Sequence, residues 1–199
     1  MTPAGGRPGR APPYDPDAFT DEQRRVHHLI ASGPRGDVVG PLRVWLTSPG
    51  LAETAQALGQ YARYDSALPP HLSELAILVT ARIWSSGFEW ATHAPIALAS
   101  GVPEDVVEAI AHGRAAILGD DEGQAVFDCS VELHRDRAIS DAAYGRGLAA
   151  LGDRGMVDLV GICGYYTLIS MTINAFNVPD GDGPSLPVLD MTPQEMFRT

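Results

Sequence analysis

The chain has 199 residues, 45% of them hydrophobic and 7% aromatic, with a formal net charge of −11. That length suits one domain with tails, and so acidic a balance argues against nucleic acid and anionic membrane surfaces as partners, because both need a basic footprint. An anionic ligand would need local positive charge against that field.

Residues 1–20 are rich in Gly, Pro and Arg and predict a disordered N-terminal arm without an apolar leader run. A helix follows over Asp21 to Ala31, capped by Thr20 or Asp21, with Val26, Leu29 and Ile30 apolar. Ser32 to Pro41 is a glycine- and proline-rich loop, and Leu42 to Thr47 a short helical turn. Ser48-Pro49 opens a helix reaching Tyr64, with Leu51, Ala55, Leu58 and Ala62 as its expected buried stripe. After a helical hairpin at 70–100, Pro103-Glu104-Asp105 starts a helix that ends near Gly113. Another spans Asp120 to Arg137, with His134 expected to face solvent. Ser140 caps a weak, glycine-containing helix from Asp141 to Leu151. Arg154 to Asn177 is the long final helix, and residues 180–199 form a tail that wraps the body or a neighbouring subunit. Its apolar stretch, Met156 to Phe176, includes Asp158, Tyr165, Tyr166 and Asn174, which fits a core or subunit-interface helix better than a membrane span. The expectation is an all-α fold, with a single domain over 21–179.

Cys129 and Cys163 lack C-x-x-C spacing and read as free, buried thiols in a reducing cytoplasm. His27 and His28 are adjacent and so point to different sides of a helix. Gly181-Asp182-Gly183 is a turn rather than a nucleotide motif.

The stretch His71 to Val102 organises the rest. Leu75, Leu78, Val79 and Ile83 make one apolar stripe, Ser85-Ser86-Gly87 interrupts it, and a second helix runs to Gly101, which can close it in the left-handed conformation. Four polar residues occupy positions where apolar ones would be expected: Glu74, Arg82, Glu89 and His93. Packed as a hairpin, the two helices can bring all four to one pocket, where a carboxylate beside an imidazole forms a proton-transfer pair. Pro95 removes a hydrogen bond to Ala91 and predicts a kink just after His93 that frees a carbonyl near the site. Structural readings stand beside the chemical one. Ser86 and Glu89 fit a capping box, Glu89 and His93 fit an ordinary surface pair, and Glu74 fits a first-turn acid. The spacing of Glu74, Glu89 and His93 also permits metal ligation.

The run Glu74, Ser86, Glu89-Trp90 and His93, with the later Gly164-Tyr165-Tyr166 and Asn174, resembles the carboxymuconolactone decarboxylase-like family of the alkylhydroperoxidase D-like superfamily. The similarity covers roughly residues 40–179. It implies a helical bundle built around a central helical hairpin. Ser86 and Glu89 stand where the peroxidase branch has its Cys-x-x-Cys pair, so dithiol peroxidase chemistry is not implied here. What the resemblance implies is a cofactor-independent lyase, without a metal, acting on a small carbonyl or lactone acid. His93, Glu89, Glu74 and Ser86 would be catalytic. Arg82, Arg43, Trp90, Phe88, Tyr166 and Asn174 would bind substrate. It also implies a homo-oligomer, a trimer or hexamer. The same groups could serve an isomerase, cyclase or dehydratase, or remain in a non-catalytic binder of small molecules.

Overall fold

The computed structural model describes residues 8–198. Among them the order is α1 (Asp21–Ala31), α2 (Pro41–Trp45), α3 (Pro49–Gln60), α4 (Pro70–Ile83), α5 (Gly87–Ser100), α6 (Glu104–Ala111), α7 (Asp121–Arg135) and α8 (Asp141–Phe176), with no strand among the described residues. The all-α expectation holds. Helix α4 is the axis: every residue from Leu72 to Ile83 is buried, and it packs against α5, α7 and α8. A helix apolar on all sides can be stable only where other helices surround it.

Most boundaries fall where capping and periodicity place them. Thr20 and Gln23 form a reciprocal capping box at the start of α1. Ser140 caps α8 through the Ala143 amide, and Gly101 closes α5 in the left-handed region at φ 103. The two helices expected over 141–177 both form, separated at Gly152, whose φ of 67 and ψ of 176 are not helical; together they make up α8.

Several expectations are corrected. The stripe of α3 is rotated: Leu51 and Leu58 are exposed at 44% and 46%, while Ala52, Ala55, Gln56 and Gly59 are buried. The small residues face inward because α3 lies close against α8, where a leucine would not fit. Its continuation, Tyr61–Asp65, is one π-helical turn, held by the buried Asp158 carboxylate, which accepts from the Tyr61 hydroxyl (2.9 Å) and the Ala67 amide (2.7 Å). The arm is ordered from residue 8. Tyr14 stacks edge-on against Phe19, its hydroxyl lies 2.7 Å from His27 Nε2, and Phe176 O accepts from the Arg10 amide. Residues 1–7 lie outside the described residues.

The tail packs on its own body, with Met196 and Phe197 buried and the Phe197 amide donating to Gly113 O at 2.7 Å. Both cysteines are free and buried. One helix, α8, is long and apolar enough to cross a membrane by length and composition, and 61% of its apolar window is buried in the protein.

His134 does not face solvent freely: its Nε2 lies 2.8 Å from the Thr80 hydroxyl, and burial pushes its pKa down to about 4. Between the ordinary value of 6.5 and 4 the unfolded chain takes up a proton that the folded chain refuses. Stability therefore falls as pH drops through that window, by at most about 3 kcal/mol. Urea unfolding at about pH 7 and about pH 4.5 measures the loss, and His134→Gln should flatten this part of the pH dependence.

Candidate active site

Helices α4 and α5 bring three titratable side chains into one buried group. His93 Nδ1 lies 2.7 Å from Glu74 Oε2, and His93 Nε2 lies 3.3 Å from Glu89 Oε2. All three are nearly sealed, at 3% exposure for Glu74 and His93 and 4% for Glu89. As a carboxylate Glu74 can only accept, so Nδ1 carries the hydrogen and Nε2 presents its lone pair toward Glu89. The approach of Glu89 lacks hydrogen-bond geometry, and its Oε2 is left without a partner.

Burial raises the Glu89 pKa above the usual 4.5, and Glu74 adds to the rise, while His93, Arg35 and Arg63 pull it back. A buried carboxyl pushed up beside an imidazole can hold a proton and hand it on. The Tyr166 ring stands edge-on to His93 at 5.0 Å and 87°, fixing the imidazole plane, and Tyr165 packs edge-on against Tyr166 at 5.2 Å.

The capping-box reading of Ser86 and Glu89 is not what forms. Ser86 makes no side-chain cap, and its buried hydroxyl has no partner. Glu74 is not a first-turn acid either, since it lies in the buried middle of α4. Among the described residues no set of three His, Cys, Asp or Glu side chains is placed to hold a metal ion.

The expected arginines are elsewhere. Arg82 is 1% exposed and donates to Ala111 O (3.1 Å), Pro187 O (2.7 Å) and the Ser85 hydroxyl (2.9 Å). At the C-terminal end of α4 it serves the turn and the tail, and does not pair with Glu74. Arg43 donates to Val38 O at 2.8 Å and covers the Tyr14 ring at 4.6 Å, so it ties the arm to α2. Asn174 is exposed and donates to Trp84 O at 2.8 Å; it braces the hairpin turn from α8. Trp90 is a buried core side chain. Phe88 packs under Gly40, whose φ of 52 and missing Cβ let the ring approach the backbone. Helix α5 runs unbroken through Pro95. The carbonyl Pro95 would free, Ala91 O, meets Gly183 of the tail rather than the site, so closely that a Cβ at 183 would overlap it.

Two other arginines act electrostatically on the buried Glu89 carboxyl. Arg35, in the loop after α1, donates to the Tyr165 hydroxyl at 3.2 Å, while its buried Nε has no acceptor. Arg63 sits on the π-turn and, like Arg35, lies near enough to lower the Glu89 pKa. Both also counter the burial that raises Tyr165 to about 12. Neither has a periodic signature. The one local sign is that Arg35 precedes a glycine and Arg63 a tyrosine, outside the regular helices.

The carboxymuconolactone decarboxylase family profile matches residues 49–130, which include Glu74, Ser86, Glu89 and His93. No curated protein sequence matches significantly. Three solved structures share the fold at low identity. A protein of unknown function from Agrobacterium tumefaciens, with a suggested AhpD antioxidant-defence role, is 16% identical with a TM-score of 0.61, over 69% of this chain and 94% of its own. An uncharacterised peroxidase-related protein from Silicibacter sp. TM1040 is 16% identical with a TM-score of 0.69, over 89% and 95%. The debrominase Bmp8, as a cysteine-to-alanine variant in complex with 2,3,4-tribromopyrrole, is 11% identical with a TM-score of 0.69, over 89% and 94%. Over residues 49–130 the chain is therefore similar to the carboxymuconolactone decarboxylase family, and its helical fold is shared with these AhpD-like and peroxidase-related structures.

Proposed function

We propose that the protein is a cofactor-independent lyase that decarboxylates, or moves a proton on, a small carbonyl or lactone acid. The observation that carries this reading is the buried Glu74–His93–Glu89 set, with a carboxyl oxygen of Glu89 unpartnered and its pKa raised. Arg35 and Arg63 supply the local positive charge that an anionic substrate needs against a net charge of −11.

In the decarboxylating form the substrate's carbonyl or lactone oxygen lies toward the guanidinium of Arg35. The bond to the carboxylate carbon breaks, its electron pair flows into a dienolate, and carbon dioxide leaves. The arginines and the Tyr165 hydroxyl stabilise the oxyanion as charge arrives there. A proton then passes from Glu89 through His93 Nε2 to the carbanionic carbon, and solvent restores it to Glu89. Glu74 holds the imidazole orientation throughout. Isomerisation, cyclisation or dehydration would use the same set without loss of carbon dioxide. With no C-x-x-C pair in the sequence, the dithiol peroxidase route of the wider superfamily is not proposed.

The test is a panel of small β-keto and lactone acids, followed for carbon dioxide release. Release catalysed by the wild type supports decarboxylation. Turnover without carbon dioxide moves the assignment to the isomerase or cyclase form. No turnover of any carbonyl acid contradicts the proposal.

The proposal extends to a homo-oligomer, a trimer or hexamer, in a reducing cytoplasm. It is supported by the apolar side chains α8 leaves exposed, Val157 at 71%, Val160 at 46% and Met171 at 48%, on a helix whose other face is core. Light scattering should give a multiple of the chain mass, and a monodisperse monomer overturns this part.

A further inference from the structure

Among the described residues, three buried side-chain oxygens have no hydrogen-bond partner: Ser86 Oγ, Glu89 Oε2 and Ser170 Oγ. Both serines are 0% exposed. Ser170 comes from α8, and two contacts fix where it lies. One turn before it, Tyr166 stands edge-on to His93 at 5.0 Å. One turn after it, Asn174 donates to Trp84 O at 2.8 Å, two residues before Ser86. Residues four apart on a helix share a face. The face of α8 that carries Tyr166, Ser170 and Asn174 therefore runs along the α4–α5 hairpin from the imidazole to the turn. Glu89 is one turn from His93 in the same direction. Four residues advance a helix by about 6 Å, so Ser170 and Glu89 stand at the same level between the two contacts. Burial raises the Tyr166 pKa and Glu89 adds to the rise, as a carboxyl beside this face would.

We infer that Ser170 and Ser86 are substrate-binding residues which, with the Glu89 carboxyl, form a subsite for an uncharged oxygen of the substrate, a ketone carbonyl or a hydroxyl. The inference rests on the acid–base reading of His93 and Glu89 and adds what the substrate carries beyond its acid group. A hydroxyl sealed from water without a partner costs about 1–3 kcal/mol, and folded proteins leave few such groups. A serine inside a helix can relieve that cost on the carbonyl one turn back. Thr80, Thr92 and Thr172 each do so, and Ser170 does not. Each free hydroxyl can donate to a guest oxygen or accept from a guest hydroxyl. No charged nitrogen bonds either serine, so nothing there matches a carboxylate. Arg82, the nearest in sequence, is committed to Ala111 O, Pro187 O and the Ser85 hydroxyl. Positive charge lies instead on the Tyr165 side, from Arg35 and Arg63. The substrate is then an acid held by its reacting, anionic end on the Arg35 side, with a further neutral oxygen against Ser86 and Ser170.

The test uses the full chain and two readouts that need no turnover. Thermal unfolding comes first. Ser170→Ala should leave Tm unchanged or higher, because it removes a buried hydroxyl that has no partner. A hydroxyl kept for structure, through a bridging water, would lower Tm when removed. Calorimetric titration with levulinate and pentanoate, acids of the same chain length that differ by the ketone oxygen, then reads the subsite. The wild type should bind levulinate about three- to tenfold more tightly, the worth of a neutral hydrogen bond. Ser170→Ala should lose that preference while its affinity for pentanoate stays at the wild-type value. Ser86→Ala gives the same two readings independently. A lowered Tm in either variant, equal affinity of the wild type for the two acids (binding of neither included), or a preference that survives both variants would each overturn the subsite. Turnover that depends on His93 without the levulinate preference removes the subsite and leaves the acid–base reading standing. The preference without any effect of His93→Ala on turnover does the opposite.

Discussion

His93→Ala should reduce turnover by about a hundred- to ten-thousandfold, the usual contribution of a positioned general acid–base, with helix content intact. The imidazole touches both carboxyls, 2.7 Å from Glu74 and 3.3 Å from Glu89. Without it neither acid can exchange a proton with the other. Glu89→Gln should lose a similar factor and at the same time raise the melting temperature near neutral pH. The sign follows from the raised pKa. Above 4.5 the unfolded chain releases the Glu89 proton while the folded chain keeps it, so stability falls as pH rises from 4.5 through the folded value. A glutamine does not titrate and removes that penalty. Loss of activity with gain of stability is the signature of a group kept for chemistry. A non-catalytic binder would instead keep its ligand affinity in His93→Ala, and loss of stability in Glu89→Gln would mark Glu89 as a structural pair.

The second large effect separates the arginines. Arg82→Met should destabilise the fold by about 2–3 kcal/mol, because it leaves buried carbonyls without a donor. These are Ala111 O and Pro187 O, and proteolysis of the tail should speed up as the latter is released. Turnover per folded molecule should stay near that of the wild type. Arg35→Met should do the reverse. It removes one bond, to the buried Tyr165 hydroxyl, so chemical unfolding should shift by about 1 kcal/mol, less than for Arg82→Met. KM should rise roughly ten- to a hundredfold, the worth of a charge-assisted hydrogen bond to an anionic substrate. A KM effect in Arg82→Met with none in Arg35→Met would reverse the assignment.

The central hairpin was legible because helix periodicity, the break at Ser85-Ser86-Gly87 and the closing Gly101 are local signals, and α4 and α5 form where those signals put them. Glu74, Glu89 and His93 were legible as polar residues in an apolar pattern, and the structure does bring them together. Arg82 carried the same signal and misled. A helix buried on every side has no single polar face, so spacing along α4 could not tell a side chain aimed at the site from one aimed at the tail. Leu51 and Leu58 misled for the opposite reason. Hydrophobicity marks a residue that is stable when covered, but close packing of α3 on α8 selected the small residues instead. His134 looked like a charged helix end, and only the tertiary approach of Thr80 shows it docked. Arg35 and Arg63 come from a loop and a π-turn, where no period exists to read. Their placement depends on long-range contacts, Arg35 with Tyr165 and the Asp158 hold on the turn that carries Arg63.

The most direct test of a buried acid–base set is where the proton goes. With a substrate that the wild type turns over, a single turnover in deuterium oxide should place one deuterium on the product carbon, in one configuration, delivered through His93. In His93→Ala any residual product should form slowly and carry the label in both configurations, set by solvent alone. Product from the wild type that contains no solvent deuterium, or His93→Ala giving the same stereospecific label at the same rate, would contradict the account.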